Sequence, residues 1–411
     1  MAQENVLINV SGQDKPGLLS LMTNILASHG AHILDIGQAV IHDDLALGIL
    51  VCVESSVTGD MIKDVMFQAN EVGSTVRIAN VSQQQHDAWL QASGKQRYIL
   101  TVLAAGKGSP PLQAVSAITH RYDLNIDTIR RLTDRGAGVS AEARMCVEMR
   151  LRGDMANLEA VQHDLLEQAE RHDFDFSLQL DSVFRRNRRL VAFDMDSTLI
   201  KAEVMDELAK LHGVGDAVVA ITDEAMAGKL DFQASFRRRA SLLKGLPVTA
   251  LDAVAETVEL NEGADRLIRA LRHFGYKTAV LSGGFQYVGE KLARELGIDY
   301  VHANELALQD GVMTGEVVGQ IVDAQRKAVL LREIADNERV DLAQTIAVGD
   351  GANDLPMLSA AGLGVAFHAK DIVKESARHA ISRFGLDAIL YLIGFSDRDI
   401  AEALGEIDAE G

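Results

Sequence analysis

The chain has 411 residues, with 40 Lys and Arg against 59 Asp and Glu and a formal net charge of −19. This acidic excess argues against nucleic-acid binding, which needs a basic face, and against attraction to anionic membrane surfaces. The 2 cysteines exclude a disulfide scaffold and a zinc site built from several cysteines.

The first residues contain no basic stretch followed by a long apolar one, so we expect no signal peptide. The longest apolar stretch, Leu45–Val53, is too short to span a bilayer. We therefore expect a cytoplasmic protein, and the length predicts two or three domains.

Two stretches of the N-terminal half resemble each other at an offset of about 93 residues, which indicates a duplication. Val6–Val10 is similar to Tyr98–Val102, and Leu50–Glu54 is similar to Arg144–Glu148. Each copy predicts the order strand, helix, strand, strand, helix, strand. This order predicts a small α+β domain of ferredoxin-like topology, with an antiparallel sheet and two helices on one face.

The elements of the two copies follow from alternating and helical apolar spacing. The first copy lies within residues 1–90, with elements predicted at Val6–Val10, Gly17–His29, Ala31–Ile41, Leu45–Glu54, Asp60–Asn70 and Ser74–Val81. The second lies within residues 91–183, with elements predicted at Tyr98–Ala104, Leu112–Tyr122, Leu124–Asp134, Ala143–Leu151, Asn157–Asp173 and Phe174–Leu180.

The pattern changes after a basic run at Arg185–Arg189, where short apolar strands begin to alternate with helices. The alternation predicts an α/β domain at residues 184–411, with a parallel sheet covered on both faces. Strands are predicted at Arg189–Asp194, Lys277–Leu281, Thr345–Val348 and Leu363–Phe367, helices at Ala264–His273, Tyr287–Leu296 and Gln325–Ala335, and a hairpin at Leu306–Val318. Residues 202–262 show only helical patterns, which predicts a helical cap inserted after the first strand.

Two acidic clusters follow predicted strands: Asp194 and Asp196 after the first, and Asp350 and Asp354 after a later one. In a parallel sheet, ligands bind beyond the carboxyl ends of the strands. Carboxylates gathered there repel one another unless a cation holds them, and Mg²⁺ suits oxygen ligands and phosphate. The alternative is that each aspartate caps a following helix.

Two further features suit a phosphate. Ser282 offers a hydroxyl at a strand end, followed by glycines that let backbone N–H groups approach an anion, and Lys327 could supply an ammonium group. Taken alone, the serine and glycines indicate a turn, and a single lysine indicates a solvated surface residue.

These residues together resemble the four motifs of the haloacid dehalogenase superfamily of phosphatases: Asp-x-Asp-x-Thr at Asp194–Thr198, then Ser282, Lys327, and Gly-Asp-Gly-x-Asn-Asp at Gly349–Asp354. Within that superfamily, residues from about 185 to 395 are similar to phosphoserine phosphatases. The resemblance implies a three-layer, doubly wound, Rossmann-like core with a small helical cap, and a phosphatase that uses Mg²⁺.

The resemblance also implies roles for individual residues. Asp194 would be the nucleophile that forms an aspartyl-phosphate, and Asp196 would act as general acid and then as general base. Mg²⁺ would be held by Asp194, the main-chain carbonyl of Asp196 and Asp350, with Asp354 holding a metal-bound water. The phosphoryl group would be held by Ser282, the backbone N–H of Gly283 and Lys327, and Asn353 would help to orient the phosphate.

Substrate choice would depend on the cap. Glu203 could pair with a substrate ammonium group, and Arg239 could hold an α-carboxylate with its two-pronged guanidinium. Met226 and Phe232 would exclude water. From the residues alone, the alternatives stay open that Glu203 compensates a helix dipole and that Arg239 belongs to a solvated run.

The turn Asp14–Leu18, with the element order of the repeats, resembles ACT domains, small modules that pair through their sheets and bind amino acids. The resemblance implies a homodimer and an effector site that includes Asp14, Gly17 and Gly108. The second copy departs from the pattern, because Gly106–Pro111 contains no aspartate. A purely structural pairing domain is the alternative.

We therefore expect an enzyme that hydrolyses O-phospho-L-serine to L-serine and phosphate, the last step of serine biosynthesis, with L-serine as effector at the ACT domains. One alternative is the same chemistry on another small phosphomonoester. A second is an amino-acid-binding regulatory protein whose phosphatase half is vestigial; the filled motif positions argue against it.

Overall fold

The computed structural model describes residues 2–106, 109–134, 144–154, 158–370, 373–374, 377 and 379–406. Gly108, which we predicted to bind an effector, lies outside the described residues. The chain divides into two compact units, Met1–Lys95 and Gln96–Gly411. The described part of the chain contains no helix with the length and hydropathy of a membrane span.

The first unit is a four-stranded antiparallel sheet of order β2-β3-β1-β4 with two helices packed on one face. Val6, Ile8 and Val10 alternate along β1 toward Met22 of α1 and Met61 of α2, which closes its core. The elements are β1 (Gln3–Gln13), α1 (Leu18–Ser28), β2 (His32–Ile41), β3 (Asp44–Glu54), α2 (Thr58–Glu71), β4 (Thr75–Val81) and α3 (Gln83–Ser93).

Helix α3 was not predicted. None of its residues is buried, so no apolar periodicity marks it. It begins instead with a capping box, in which Ser82 and Gln85 each bond the other's backbone N–H.

The second repeat has the same topology as the first. Its strand order β6-β7-β5-β8 corresponds, strand by strand, to β2-β3-β1-β4, which supports the duplication inferred from the sequence. Leu100 and Val102 of β5 pack against Val115 of α4 and Val161 and Leu165 of α5. The elements are β5 (Arg97–Ala105), α4 (Ser109–Arg121), β6 (Asn125–Arg131), β7 (Arg144–Arg152), α5 (Leu158–His172) and β8 (Phe174–Leu180).

The remaining strands form a doubly wound sheet, as predicted. Six strands are parallel and lie side by side in the order β11-β10-β9-β13-β14-β15. A seventh strand, β12, pairs antiparallel with β11 at the edge of the sheet. Side chains of β9 enter two cores: Val191 and Phe193 on one face, Leu190 and Ala192 on the other. The strands are β9 (Leu190–Phe193), β10 (Lys277–Phe285), β11 (Tyr300–Gln309), β12 (Val312–Val318), β13 (Thr345–Gly349), β14 (Leu363–Phe367) and β15 (His379–Ile381).

Helices cover both faces of this sheet and form the cap between β9 and β10. The cap helices are α6 (Val204–His212), α7 (Gly215–Met226), α8 (Phe232–Ser241) and α9 (Thr249–Thr257). The others are α10 (Ala264–His273), α11 (Gln286–Leu296), α12 (Ala324–Glu338), α13 (Leu355–Ala360), α14 (Ala388–Leu392) and α15 (Asp397–Leu404). Phe236 of α8 packs on Phe285 at the end of β10, with ring centroids 5.8 Å apart, and this contact sets the cap against the sheet edge.

The sheet of the second repeat continues into the parallel sheet. β8 pairs antiparallel with β15, where Ser177 lies opposite His379, and the described strands of the second unit form one eleven-stranded sheet. Asp175 supports this junction by accepting hydrogen bonds from the backbone N–H groups of Ser382 and Arg383, at 2.9 and 3.0 Å. The predicted domain boundary at 183/184 therefore falls inside one compact unit and stays a prediction.

Candidate active site

The two acidic clusters meet because their strands are neighbours. β9 and β13 run parallel with Phe193 opposite Val348, so Asp194 and Asp350 emerge at the same sheet edge. The backbone N–H of Asp194 donates to Val348 O at 2.9 Å. One carboxylate oxygen from each of Asp194, Asp350 and Asp354 lies within 4.8 Å of the others.

Lys327 is buried between these carboxylates. It lies in the first turn of α12, and its Nζ is 2.8 Å from Asp194 Oδ2 and 2.7 Å from Asp354 Oδ1. Burial alone would lower the pKa of Lys327, but the charges of Asp194 and Asp354 raise it above its usual range. The lysine is therefore a fixed cation of the site, and the alternative of a solvated surface residue is wrong.

Two carboxyl groups of the cluster, those of Asp194 and Asp350, have raised pKa values. Burial, and then the charge of Asp354, raises the pKa of Asp194, although Lys327 opposes the shift. Burial raises the pKa of Asp350 to about 6, against the hydrogen bond that Thr198 Oγ1 donates to its Oδ1 at 2.8 Å. A cation bound among these oxygens would relieve this repulsion.

Asp196 stands apart from the cluster and points toward the cap. Its Oδ1 accepts from the backbone N–H of Val204 at 3.0 Å, and its Oδ2 accepts from Ser282 Oγ at 3.4 Å. Burial, and next the charge of Glu203, raises its pKa to about 7. A carboxyl group with this pKa can both give and take a proton near neutral pH.

A bulge near the carboxyl end of β10 brings backbone groups close to the acidic residues. The backbone N–H of Gly284 donates to Ser282 Oγ at 2.8 Å, and Asn304 fixes the bulge by donating to Gly283 O at 2.8 Å. A Cβ atom on Gly284 would lie 2.2 Å from Asp196 Oδ2, so this close approach requires glycine.

A cavity of about 460 Å³ opens between the sheet edge and the cap. Most of the predicted site residues line it: Asp194, Asp196, Glu203, Met226, Phe232, Arg239, Gly283, Asp350 and Asn353. Three further predicted residues are buried behind the cavity wall: Ser282, Lys327 and Asp354. Ser282 contacts Asp196, and Lys327 contacts Asp194. The structure thus brings the predicted catalytic, metal-binding and substrate-binding residues into one place.

The cap supplies two acidic groups, Glu203 and Asp206, and one basic group, Arg239, to this cavity. Ser197 Oγ donates to Glu203 Oε1 at 2.8 Å, and desolvation raises the pKa of Glu203. Burial lowers the pKa of Arg239, while nearby acidic groups, Asp206 first, oppose that shift. Met226, which we predicted to exclude water, is 70% exposed at the end of α7.

Asn261 was not predicted to belong to the site. Its Nδ2 lies 3.2, 2.8 and 3.3 Å from the carbonyl oxygens of Ser197, Thr198 and Ile200, the loop that follows Asp194 and Asp196. It is 63 residues from Thr198 along the chain, so no local motif connects them. Ser197 holds a left-handed conformation, with φ of 57°, inside the loop that Asn261 clamps.

The predicted effector residues of the first unit lie at the start of α1. Gly17 has φ of 98° and precedes the helix, and Asp14 donates its backbone N–H to Asp43 O at 2.7 Å. Both residues are exposed.

Comparison with known proteins gives two family matches. The haloacid dehalogenase-like hydrolase family matches residues 191–359, and the ACT domain family matches residues 4–79. The phosphoserine phosphatase of Mycobacterium tuberculosis is 40% identical over 407 residues, which cover 98% of this chain and 96% of that protein. That of Streptomyces coelicolor is 36% identical over 399 residues, covering 97% of this chain and 94% of that protein.

A solved structure shows the same likeness. The probable phosphoserine phosphatase of Vibrio cholerae, in its unliganded form, superposes with a TM-score of 0.59 at 32% identity. The match covers 75% of this chain and 89% of that one.

Proposed function

Because the chain belongs to the phosphoserine phosphatases, haloacid dehalogenase-like hydrolases that here carry an N-terminal ACT domain, we propose that it hydrolyses O-phospho-L-serine to L-serine and phosphate. The observation that carries the proposal is the cavity in which Asp194 and Asp196 face Glu203 and Arg239. It joins groups for phosphoryl transfer to one anionic and one cationic anchor, which an amino-acid phosphate needs.

Asp194 is the nucleophile in this proposal. A carboxylate oxygen of Asp194 attacks phosphorus, and the bond from phosphorus to the seryl oxygen breaks as Asp196 gives that oxygen its proton. A water molecule then attacks phosphorus of the aspartyl-phosphate while Asp196 takes its proton, and the bond from phosphorus to the Asp194 oxygen breaks. Phosphate leaves, and both carboxyl groups return to their starting states.

The phosphoryl oxygens need fixed donors while charge develops on them. Lys327 contributes a buried positive charge, and Ser282 and the backbone N–H of Gly283 contribute neutral donors near the carboxyl end of β10. Asn353, which lines the cavity, orients the phosphate.

The residues fit a Mg²⁺ ion, which we propose as the cofactor. Asp194, Asp350 and Asp354 offer carboxylate oxygens within 4.8 Å of one another, the hard donors that Mg²⁺ prefers. Asp194, Asp350 and the main-chain carbonyl of Asp196 would hold the ion, and Asp354 would hold its water. When bound, the ion supplies positive charge to the phosphoryl group.

The cap selects the substrate by charge. Glu203 pairs with the ammonium group and Arg239 with the carboxylate of phosphoserine, while Phe232 and Met226 lie at the cavity wall. The net charge of −19 repels an anion at long range, so these local groups must capture it.

The ACT domain supports regulation by an amino acid, for which we propose L-serine, the product, and pairing of two chains into a homodimer through ACT sheets. Asp14 and Gly17 are the proposed effector contacts in the first unit. Equilibrium dialysis with L-serine tests the effector. The full chain is needed, because a break after residue 180 would separate β8 from β15. The cytoplasmic location stays a prediction.

Phosphate release from O-phospho-L-serine, O-phospho-L-threonine and p-nitrophenyl phosphate, each with Mg²⁺ and with EDTA, tests the activity. We expect metal-dependent turnover and a kcat/KM for phosphoserine about a hundredfold above the other two. A higher kcat/KM for the aryl phosphate would contradict phosphoserine as the substrate but would agree with the proposed phosphatase chemistry. No turnover of any of them would favour a regulatory protein with a vestigial phosphatase half.

A further inference from the structure

One wall of the active-site cavity contains a buried hydroxyl with no partner. Ser235 is 1% exposed and lines the cavity. Among the described residues, its Oγ is one of the few buried side-chain atoms without a hydrogen bond. A buried hydroxyl that pairs with nothing costs free energy, so an unpaired one facing a ligand cavity indicates a donor held for the ligand.

The position of Ser235 on α8 points to the same ligand group that Arg239 holds. Phe232, Ser235, Phe236 and Arg239 follow the spacing i, i+3, i+4, i+7 and share one face of the helix, which lines the cavity. The Nε of Arg239 also lacks a hydrogen-bond partner among the described residues. Two unpaired donors are therefore neighbours on one helix face.

Other hydroxyls of the cap differ from Ser235 in this respect. Thr222 also lines the cavity, but its Oγ1 donates to Val218 O at 3.0 Å within α7. Ser241, the last residue of α8, is exposed and donates to Arg238 O at 2.7 Å. The hydroxyl of Ser235 has no such bond inside its helix.

We propose that Ser235 is a specificity-determining residue whose hydroxyl donates a hydrogen bond to the carboxylate of the substrate, beside the guanidinium of Arg239. A carboxylate is the group that two adjacent donors and one positive charge select. The inference rests on the proposed activity and adds a second contact to the amino-acid end of the substrate.

The test compares Ser235→Ala with the wild type on O-phospho-L-serine and on O-phosphoethanolamine, which has the same ammonium and phosphate groups but no carboxylate. We expect kcat/KM for phosphoserine to fall about tenfold, mainly through KM, because a bond to a charged group is lost. We expect no change on phosphoethanolamine. Ser241→Ala, the same deletion on the same helix, should change neither.

Thermal unfolding of the substrate-free protein distinguishes a substrate-binding role of Ser235 from a structural role. Loss of an unpaired buried hydroxyl should leave the melting temperature of Ser235→Ala equal to or above that of the wild type. The inference would be overturned by an equal loss of kcat/KM on both substrates, by no loss of kcat/KM on phosphoserine, or by a fall in melting temperature. A wild type that does not hydrolyse phosphoserine would instead overturn the proposed function.

Discussion

The Nζ of Lys327 lies 2.8 Å from Asp194 Oδ2, and both side chains are buried. The lysine favours the ionised form of Asp194, although burial raises the pKa of that carboxyl group. In the proposed mechanism it also places a positive charge where the phosphoryl group binds. The same Nζ contacts Asp354 at 2.7 Å, so one cation serves two buried carboxylates.

Replacing this lysine should therefore damage both activity and stability. For Lys327→Met we expect turnover to fall at least about a hundredfold, as when a fixed donor to a developing charge is removed. The free energy of unfolding should fall by about 3 kcal/mol, because Asp194 and Asp354 stay buried without their cation. Steady-state kinetics and urea unfolding measure the two effects. Turnover within twofold of the wild type would contradict the role of Lys327.

The acid role of Asp196 should contribute least to the rate of the first step when the leaving group needs no proton. In Asp196→Asn, hydrolysis of phosphoserine should fall about a thousandfold, since both proton transfers are lost. With p-nitrophenyl phosphate, the first step needs little acid catalysis, so we expect a rapid burst of nitrophenol followed by slow turnover. Stopped-flow absorbance measures the burst. A steady trace without a burst, at the same slow rate for both substrates, would argue against a separate acid and base role.

Asn261 should act through the loop that carries Asp196. Asn261→Ala removes a donor shared by three carbonyl oxygens, so we expect kcat to fall about tenfold with KM little changed, and the melting temperature to fall by a few degrees. Asn261→Asp should lower kcat and the melting temperature more than Asn261→Ala does, because the aspartate carboxylate places acceptor oxygens next to the same carbonyl oxygens. An aspartate variant as active as the wild type would show that the clamp does not position the loop.

Asp175 should make the second unit pH-sensitive. Burial raises its pKa, although the N–H groups of Ser382 and Arg383 and the charges of Arg383 and His368 oppose the shift. The folded state therefore favours the protonated form, so the stabilising contribution is complete below the unfolded pKa of about 3.9 and is lost as pH rises through the folded value.

Asp175→Asn, which cannot ionise, is the matched reference for this effect. The stability of the wild type relative to this variant, measured by urea unfolding, should fall as pH rises from about 4 toward neutrality. A difference that is constant with pH, or that grows, would show that the buried carboxyl is not destabilised by ionisation.

The sequence was most informative where chemistry and local pattern coincide. Asp194 and Asp350 each follow a short apolar strand, so the rule for carboxyl ends of parallel strands places them together without knowledge of the fold. The repeated element order likewise predicts the topology of both N-terminal copies.

Contacts between distant segments could not be predicted in this way. β15 is a three-residue strand, His379–Ile381, too short to carry an alternating signal, and its pairing with β8 joins the two sheets. The burial of Lys327 depends on carboxylates from two other segments, and Asn261 bonds a loop 63 residues away where the two ends of the cap insertion meet. Such contacts are specified by packing of the whole unit rather than by any window of sequence.

The most direct test of the account is to mix the enzyme with O-phospho-L-serine and Mg²⁺, quench with acid within milliseconds, and locate any phosphoryl group by peptide mass spectrometry. The account predicts a phosphoryl group on Asp194 in the wild type and none in Asp194→Asn. Rapid release of phosphate from phosphoserine with Asp194 unmodified, or full activity in Asp194→Asn, would contradict it.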